Sequence, residues 1–130
     1  MERRVINPWT WQDQFGFVQA NEIQGMQRML ICSGQTAINA EGRPEHAGDM
    51  RAQLTLALDN LEAVLQAADF TLANVVRLNV YTTDMDRFFE AADILGGRMA
   101  AGAGYATTYL SVARLAFPEL LIEIEATAVA

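Results

Sequence analysis

The chain has 130 residues, enough for one domain (residues 1–130) that buries about two-thirds of its unfolded surface around a single core. Sixteen acidic and nine basic residues give a formal net charge of −7, and such a surface repels phosphate backbones and argues against a nucleic-acid partner. The apolar runs are too short to cross a bilayer, and residues 1–8 lack the apolar stretch of a secretion signal. We therefore expect a cytoplasmic protein with no membrane partner.

Two strands joined by a turn are the first elements that the sequence predicts. They run from Phe15 to Ala20 and from Arg28 to Gln35, and the glycine-containing segment between them is typical of a hairpin. Cys32, in the second strand, has no partner for an internal disulfide and is expected to be a small buried hydrophobic residue. A loop over residues 36–48 follows, in which His46 is expected at the surface.

Two helices and a strand between them are predicted next. Asp49 can cap a helix from about residue 49 to 68, because leucines recur along it at three- and four-residue spacing. The strand from Val75 to Thr82 alternates apolar and polar side chains. The pair Thr83-Asp84 can cap the second helix, which should end near Gly102.

The last two predicted strands run from Ala106 to Ala113 and from Leu120 to Val129, with a proline breaking the segment between them. The final strand alternates strictly between apolar and polar side chains. Its polar face carries Glu123, Glu125 and Thr127, whereas isoleucine and alanine occupy the other face. This polar face is the best indication of function in the sequence.

The predicted order of elements is β-β-β-α-β-α-β-β. Two helices can cover only one face of a five- or six-stranded sheet, so the face with the two glutamates stays uncovered within one chain. Arg77, Asn79 and Tyr81 share that face. We expect a homo-oligomer that buries it, since a carboxylate enclosed at an interface often transfers protons.

Five short segments, in this order and at this spacing, resemble the RidA/YjgF family over roughly residues 15–130. They are Ser33-Gly34-Gln35, Gln53 with Asn60-Leu61, Val75-Val76-Arg77, Tyr81 to Asp84, and Ile122 to Val129. The resemblance implies a chorismate-mutase-like α+β fold, with a mixed sheet and two helices on one face, and a homotrimer with a pocket at each subunit interface. It also implies a small-molecule ligand and the hydrolysis of reactive enamines or imines such as 2-aminoacrylate, with no metal or organic cofactor.

The resemblance implies roles for individual residues as well. Glu123 takes the position of the glutamate that assists the attacking water, while Ser33 and Gly34 take the position of the strand end that lines the pocket. Phe17 stands where the family usually has a tyrosine. Thr107 stands where the family has an arginine that holds the substrate carboxylate. We therefore expect an arginine-lacking branch of the family that hydrolyses or tautomerises an imine, enamine or related metabolite.

The missing arginine has a definite expected cost. Removing one partner of a buried guanidinium–carboxylate pair costs roughly 3–5 kcal/mol, so a small carboxylate should bind at least about a hundredfold more weakly. Thr107, Thr108 and Tyr109 would instead favour a neutral or hydroxylated ligand, with Tyr109 and Phe17 as apolar walls.

Each of these residues also has a purely structural interpretation. Glu123 and Glu125 can serve as carboxylates that fix the register of subunits, and the Thr107-Thr108-Tyr109 segment consists of ordinary strand formers. Arg114 could supply the missing cation, but it aligns with an arginine that the family resemblance makes structural. The alternative function is a non-catalytic ligand-binding or interaction protein that keeps the trimeric fold.

Overall fold

A computed structural model describes all of residues 1–130. The chain forms six strands and two α-helices in the predicted order β-β-β-α-β-α-β-β, although the sequence predicts no strand at the position of the first one. They are β1 (Glu2–Ile6), β2 (Ala20–Gln24), β3 (Met29–Ile31), α1 (Met50–Ala67), β4 (Val75–Thr82), α2 (Met85–Met99), β5 (Ala106–Ser111) and β6 (Ile122–Val129). Neither helix is long and apolar enough to span a membrane.

Four of the strands form a mixed sheet in the order β3-β6-β4-β5. Strand β6 runs antiparallel to both β3 and β4, whereas β4 and β5 are parallel and are connected through α2. The strands β3 and β5 are therefore the two edges of the sheet. The two remaining strands form a separate two-stranded sheet, so the predicted single sheet of five or six strands is wrong.

Both helices pack on one face of the four-stranded sheet. Leucines at the predicted spacing along α1 are fully buried against alternate residues of β4 and β6. Asp49 and Asp84 cap the two helices as predicted, each accepting a hydrogen bond from a backbone N–H three residues later. Helix α2 ends at Met99, three residues before the predicted end. The burial alternation predicted for β4 and β6 is confirmed, and their other face has no covering layer in this chain.

The predicted hairpin between the first two strands is wrong. Strand β2 pairs with β1, from Glu2 opposite Gln24 to Ile6 opposite Ala20, and β3 pairs with the C-terminal strand β6. A 3-10 turn over Trp11–Phe15 replaces the beginning of the predicted first strand. Gly16 ends that turn with a φ of 79°, a left-handed conformation incompatible with a continuous strand.

Candidate functional site

The polar face of the sheet holds a small open cavity around Glu123. Its volume is about 320 Å³. It is lined by Gly34, Tyr81, Val112, Arg114, Leu115, Glu123 and Glu125. Because side chains alternate along β6, the two glutamates lie on the same uncovered face, and both are half-buried.

Gly34 lies directly against the Glu123 carboxylate. A Cβ atom at position 34 would lie 2.7 Å from Cδ of Glu123, closer than real Cβ contacts allow. Pairing of β3 with β6 is interrupted here, because Cys32 N donates to Ala126 O and Gln35 N donates to Ile124 O. The two residues between, Ser33 and Gly34, therefore leave room for the carboxylate to fold back over the strand end.

Burial and a neighbouring charge both affect Glu123. Partial burial of the carboxylate raises its pKa, and the nearby charge of Glu125 raises this pKa further. A raised pKa makes the Glu123 carboxylate a stronger base than an ordinary glutamate, which suits a group that accepts a proton and later returns it.

Glu125 is held by two neighbours on β4. The Tyr81 hydroxyl donates to Glu125 Oε1 at 2.5 Å, and Asn79 Nδ2 donates to the same oxygen at 3.2 Å. The hydrogen bond to Glu125 raises the pKa of Tyr81. These contacts hold the Glu125 carboxylate in place beside Glu123 and support a structural role for Glu125. The Asn79 Oδ1 atom is buried and has no hydrogen-bond partner in the chain.

Arg114 is the only cationic side chain that lines the Glu123 cavity. Its Nε donates to the Leu115 carbonyl at 3.2 Å, and no carboxylate lies within 4.0 Å of its guanidinium. The guanidinium is therefore free to meet an anionic group in the cavity. From the sequence, Arg114 was interpreted as structural because it aligns with an arginine that the family resemblance makes structural, whereas the fold places it in the Glu123 cavity.

The other predicted site residues lie apart from this cavity within one chain. Thr107 and Tyr109 are in register with Leu78 and Val80 on the helix-facing side of β5. The Thr107 hydroxyl donates to Leu78 O at 2.5 Å, and the Tyr109 ring stands edge-on to Phe88 at 5.0 Å. These two side chains thus face away from Glu123 of the same chain.

Three further predicted residues also have defined positions. Thr108 lies on the open face, where it accepts a hydrogen bond from Arg77. Phe17 packs against the main core and stands edge-on to Trp11 at 5.8 Å. Ser33 is exposed beside Gly34. The structure therefore brings together Gly34 and Glu123, with Ser33 adjacent. It places the other three predicted residues on the helix side of the sheet: Phe17, Thr107 and Tyr109.

A second cavity of about 320 Å³ opens beside Tyr109, between α2, the edge strand β5 and the 3-10 turn. It is lined by Asp13, Gln14, Phe15, Gly16, Phe89, Ala92, Asp93, Leu95, Gly96, Tyr105 and Tyr109. Sequence reasoning missed this cavity. Tyr105, Thr107 and Tyr109 recur with period two, which indicates that the two tyrosines lie on the same side of the chain. The residues of α2 and of the 3-10 turn that complete the cavity become their neighbours only in the fold.

Cys32 and His46 lie outside both cavities, as the sequence predicts for residues without a role in the site. Cys32 is buried, and burial raises the pKa of its thiol, so the unreactive thiol is the stable form. His46 lies in the predicted loop, 3.8 Å from a Glu45 carboxylate oxygen, and is half-exposed. No group of three or more His, Cys, Asp or Glu side chains lies close enough together to hold a metal ion.

Comparison with known proteins identifies the family. Residues 14–130 match the family model described as Endoribonuclease L-PSP. A RutC family protein of Pyrococcus horikoshii is 31% identical over 99 residues, which cover 76% of this chain and 77% of that protein. The chain therefore belongs to this family, which is the RidA/YjgF family.

Two further relatives are similar in structure or in sequence. A Yersinia pestis protein of the conserved Rid family, described as of unknown function, has a crystal structure that matches with a TM-score of 0.89 and 40% identity over the full length of both chains. A 2-iminobutanoate/2-iminopropanoate deaminase of Escherichia coli is 32% identical over 68 residues, about half of each chain. The fold predicted from the resemblance is thus confirmed.

Proposed function

We propose that this protein hydrolyses an imine or enamine at a pocket formed between subunits, with water as the nucleophile and Glu123 as the proton shuttle. The observation that carries the proposal is the Glu123 carboxylate, which lies in a cavity on the uncovered sheet face and has a raised pKa. The relative named as an imine deaminase supports the same type of reaction.

The reaction needs one group that both takes and gives a proton. As water adds to the carbon of the protonated imine, the Glu123 carboxylate accepts a water proton, which gives a neutral carbinolamine. Glu123 then passes this proton to the amine nitrogen. As the C–N bond breaks, the carboxylate takes the hydroxyl proton, and a carbonyl compound and ammonia leave. Protonation of an enamine on its β-carbon gives the same protonated imine, which makes tautomerisation a partial reaction of the same site.

The arrangement of the two sheet edges supports a pocket between subunits. The Ser33-Gly34 strand end lies at the β3 edge, whereas Thr107 and Tyr109 lie on the β5 edge at the opposite side of the sheet. A head-to-tail contact joins the β3 edge of one subunit to the β5 edge of the next. Such contacts close into a ring when the rotation between neighbouring subunits permits. In a trimer built this way, Ser33 and Thr107 of neighbouring subunits orient the ligand, and Phe17 and Tyr109 form its apolar walls.

A net charge of −7 opposes binding to RNA phosphates, so we do not propose the ribonuclease activity by which the family model is described. The alternative to catalysis is a protein that binds a small molecule at the same pocket without turnover.

The test is hydrolysis of 2-imino acids generated in situ, with Glu123→Gln as the decisive variant. This substitution keeps the side-chain volume and removes the base, so we expect turnover to fall about 10²–10⁴-fold while the fold is retained. Glu125→Gln is the matched control on the same face and should cost far less than Glu123→Gln, because it changes the surroundings of Glu123 but leaves the base in place. Saturable ligand binding without product from the unmodified protein would favour the non-catalytic alternative.

A further inference from the structure

The cavity beside Tyr109 has the size and lining of a pocket for an apolar group. Its volume of about 320 Å³ lies at the lower end of the range for small-molecule sites. This volume is larger than a three-carbon substrate requires. Four of its lining residues are aromatic: Phe15, Phe89, Tyr105 and Tyr109. Two of these rings are poorly covered by the chain itself, since Phe15 is 57% exposed and Phe89 is 58% exposed.

The rings are arranged as walls around an open space. The Phe89 and Tyr109 rings meet edge-to-face with centroids 6.4 Å apart, and Tyr109 is fixed in turn by the buried ring of Phe88. Tyr105 is only 2% exposed and forms the inner end of the cavity. Rings in this arrangement offer both faces and edges to a further aromatic or branched aliphatic group.

The charges around the cavity exclude anions. Its only ionisable side chains besides the two tyrosines are Asp13 and Asp93, and no arginine lines it. Asp93 is neutralised by a bidentate pair with Arg51, with N–O distances of 2.9 Å, so Asp13 supplies the uncompensated charge. An anionic group in this cavity would be repelled, whereas a neutral group would not.

Thr107 connects this cavity to the proposed reaction. It lies between Tyr105 and Tyr109 in the sequence, and its hydroxyl donates to the Leu78 carbonyl. The side chain at this position is therefore short, uncharged and bonded to its own sheet.

From this geometry we infer that the cavity binds an uncharged, ring-sized side chain of the substrate. The preferred imines therefore have an aromatic or branched aliphatic side chain rather than a methyl group or a side chain that ends in a carboxylate. The inference rests on the proposed function, because it takes the β5 edge to be part of the substrate pocket. It adds the substrate class that the reaction alone does not determine.

The test compares 2-imino acids that differ only in their side chain, each generated in situ from phenylalanine, leucine, alanine or glutamate. We expect kcat/KM for the phenylalanine- and leucine-derived imines to exceed that of the alanine-derived imine about tenfold or more. The glutamate-derived imine should be the poorest substrate. Equal turnover of the alanine- and phenylalanine-derived imines would overturn the inference.

Phe89→Ala removes one exposed wall of the cavity without touching the core. It should lower kcat/KM for the phenylalanine-derived imine about tenfold and leave the alanine-derived imine within about twofold. Phe117→Ala is the matched control, since Phe117 is 39% exposed and lies outside the cavity. A uniform loss for all imines in Phe89→Ala would contradict a side-chain pocket.

A binding experiment separates this inference from the proposed reaction. Neutral phenylacetamide, followed by NMR, should shift the backbone signals of Gly96 and Tyr105, whereas acetamide at the same concentration should not. Phe89→Ala should weaken the phenylacetamide titration about tenfold. Binding of phenylacetamide without hydrolysis of any imine would contradict the proposed function alone. Failure of phenylacetamide to bind would contradict the side-chain pocket.

Discussion

The position of the Glu123 carboxylate depends on the absence of a side chain at residue 34. In the structure the carboxylate lies over the Gly34 Cα, in the space that a Cβ atom would fill. The carboxylate is the end of a flexible side chain and can rotate away, so a methyl group at this position should move the proposed base rather than unfold the strand.

Gly34→Ala should therefore separate activity from stability. We expect imine turnover to fall at least about tenfold, while the free energy of unfolding changes by less than about 1 kcal/mol. Gly97→Ala, in α2 with nothing within 4 Å of the added Cβ, is the control and should stabilise the protein by about 0.5–1 kcal/mol. If Gly34→Ala keeps full turnover, the observed carboxylate position does not matter for the reaction.

The raised pKa of Glu123 predicts a pH dependence of stability. Because the folded state binds this proton more tightly than the unfolded chain, stability is lost as the pH rises from the unfolded pKa through the raised folded pKa. Glu123→Gln should remove this loss in urea unfolding measured from roughly pH 4 to 7. Glu125→Gln should make this loss of stability smaller, because the substitution removes the negative charge that helps to raise the Glu123 pKa. A wild-type curve that rises throughout this window with the same slope as Glu123→Gln would show that the Glu123 pKa is not raised.

At the scale of elements, period-two alternation in β4 and β6 was enough to predict which residues face the helices and which face away. Those strands are central, so each side chain is either in the core or on the open face, and the pattern is strict. The predicted hairpin failed because edge and peripheral strands are short and choose partners by tertiary contacts. Nothing local in Ala20–Gln24 indicates that its partner is Glu2–Ile6.

The candidate site was predictable only in part for the same reason. The alternation of the final strand singled out the face that carries Glu123, the family resemblance added Gly34, and the structure brings the two residues into contact. Arg114 in the Glu123 cavity and Phe89 beside Tyr109 come from segments that meet only after the chain folds. Residues on different elements leave no joint pattern in a single sequence.

Helix α1 is tied to the loops before it and before β6 through one buried amide. Gln53 is fully buried; its Nε2 donates to His46 O at 3.1 Å and to Glu119 O at 2.8 Å, and its Oε1 accepts from Leu121 N at 2.8 Å. A side chain without polar atoms would leave these backbone groups without partners inside the protein.

Gln53→Met should therefore destabilise the fold by about 3 kcal/mol, because buried backbone donors and acceptors lose their hydrogen bonds. Urea unfolding gives the value. Gln66→Met, on the exposed side of the same helix, is the control and should change the free energy of unfolding by less than about 0.5 kcal/mol. Equal effects of the two substitutions would show that the Gln53 amide does not hold these loops.

At the scale of the whole molecule, the two halves of the proposed pocket lie on opposite edges of one sheet and on opposite faces. A single chain cannot bring Glu123 to its own Tyr109, but a neighbour in a closed ring can supply it. We therefore expect a trimer with three times the 14.3 kDa chain mass, measurable by light scattering.

Subunit complementation tests this central claim most directly. Glu123→Gln and Tyr109→Ala chains are each expected to be inactive as pure trimers on the phenylalanine-derived imine. Co-expressed in equal amounts, they form a random population of pure and mixed trimers in which about one quarter of all interfaces combine an intact Glu123 with an intact Tyr109 from the neighbour. We expect this population to recover about one quarter of wild-type turnover, with all of the recovered activity in the mixed trimers. Mixed trimers no more active than the two pure variants would contradict a pocket shared between subunits.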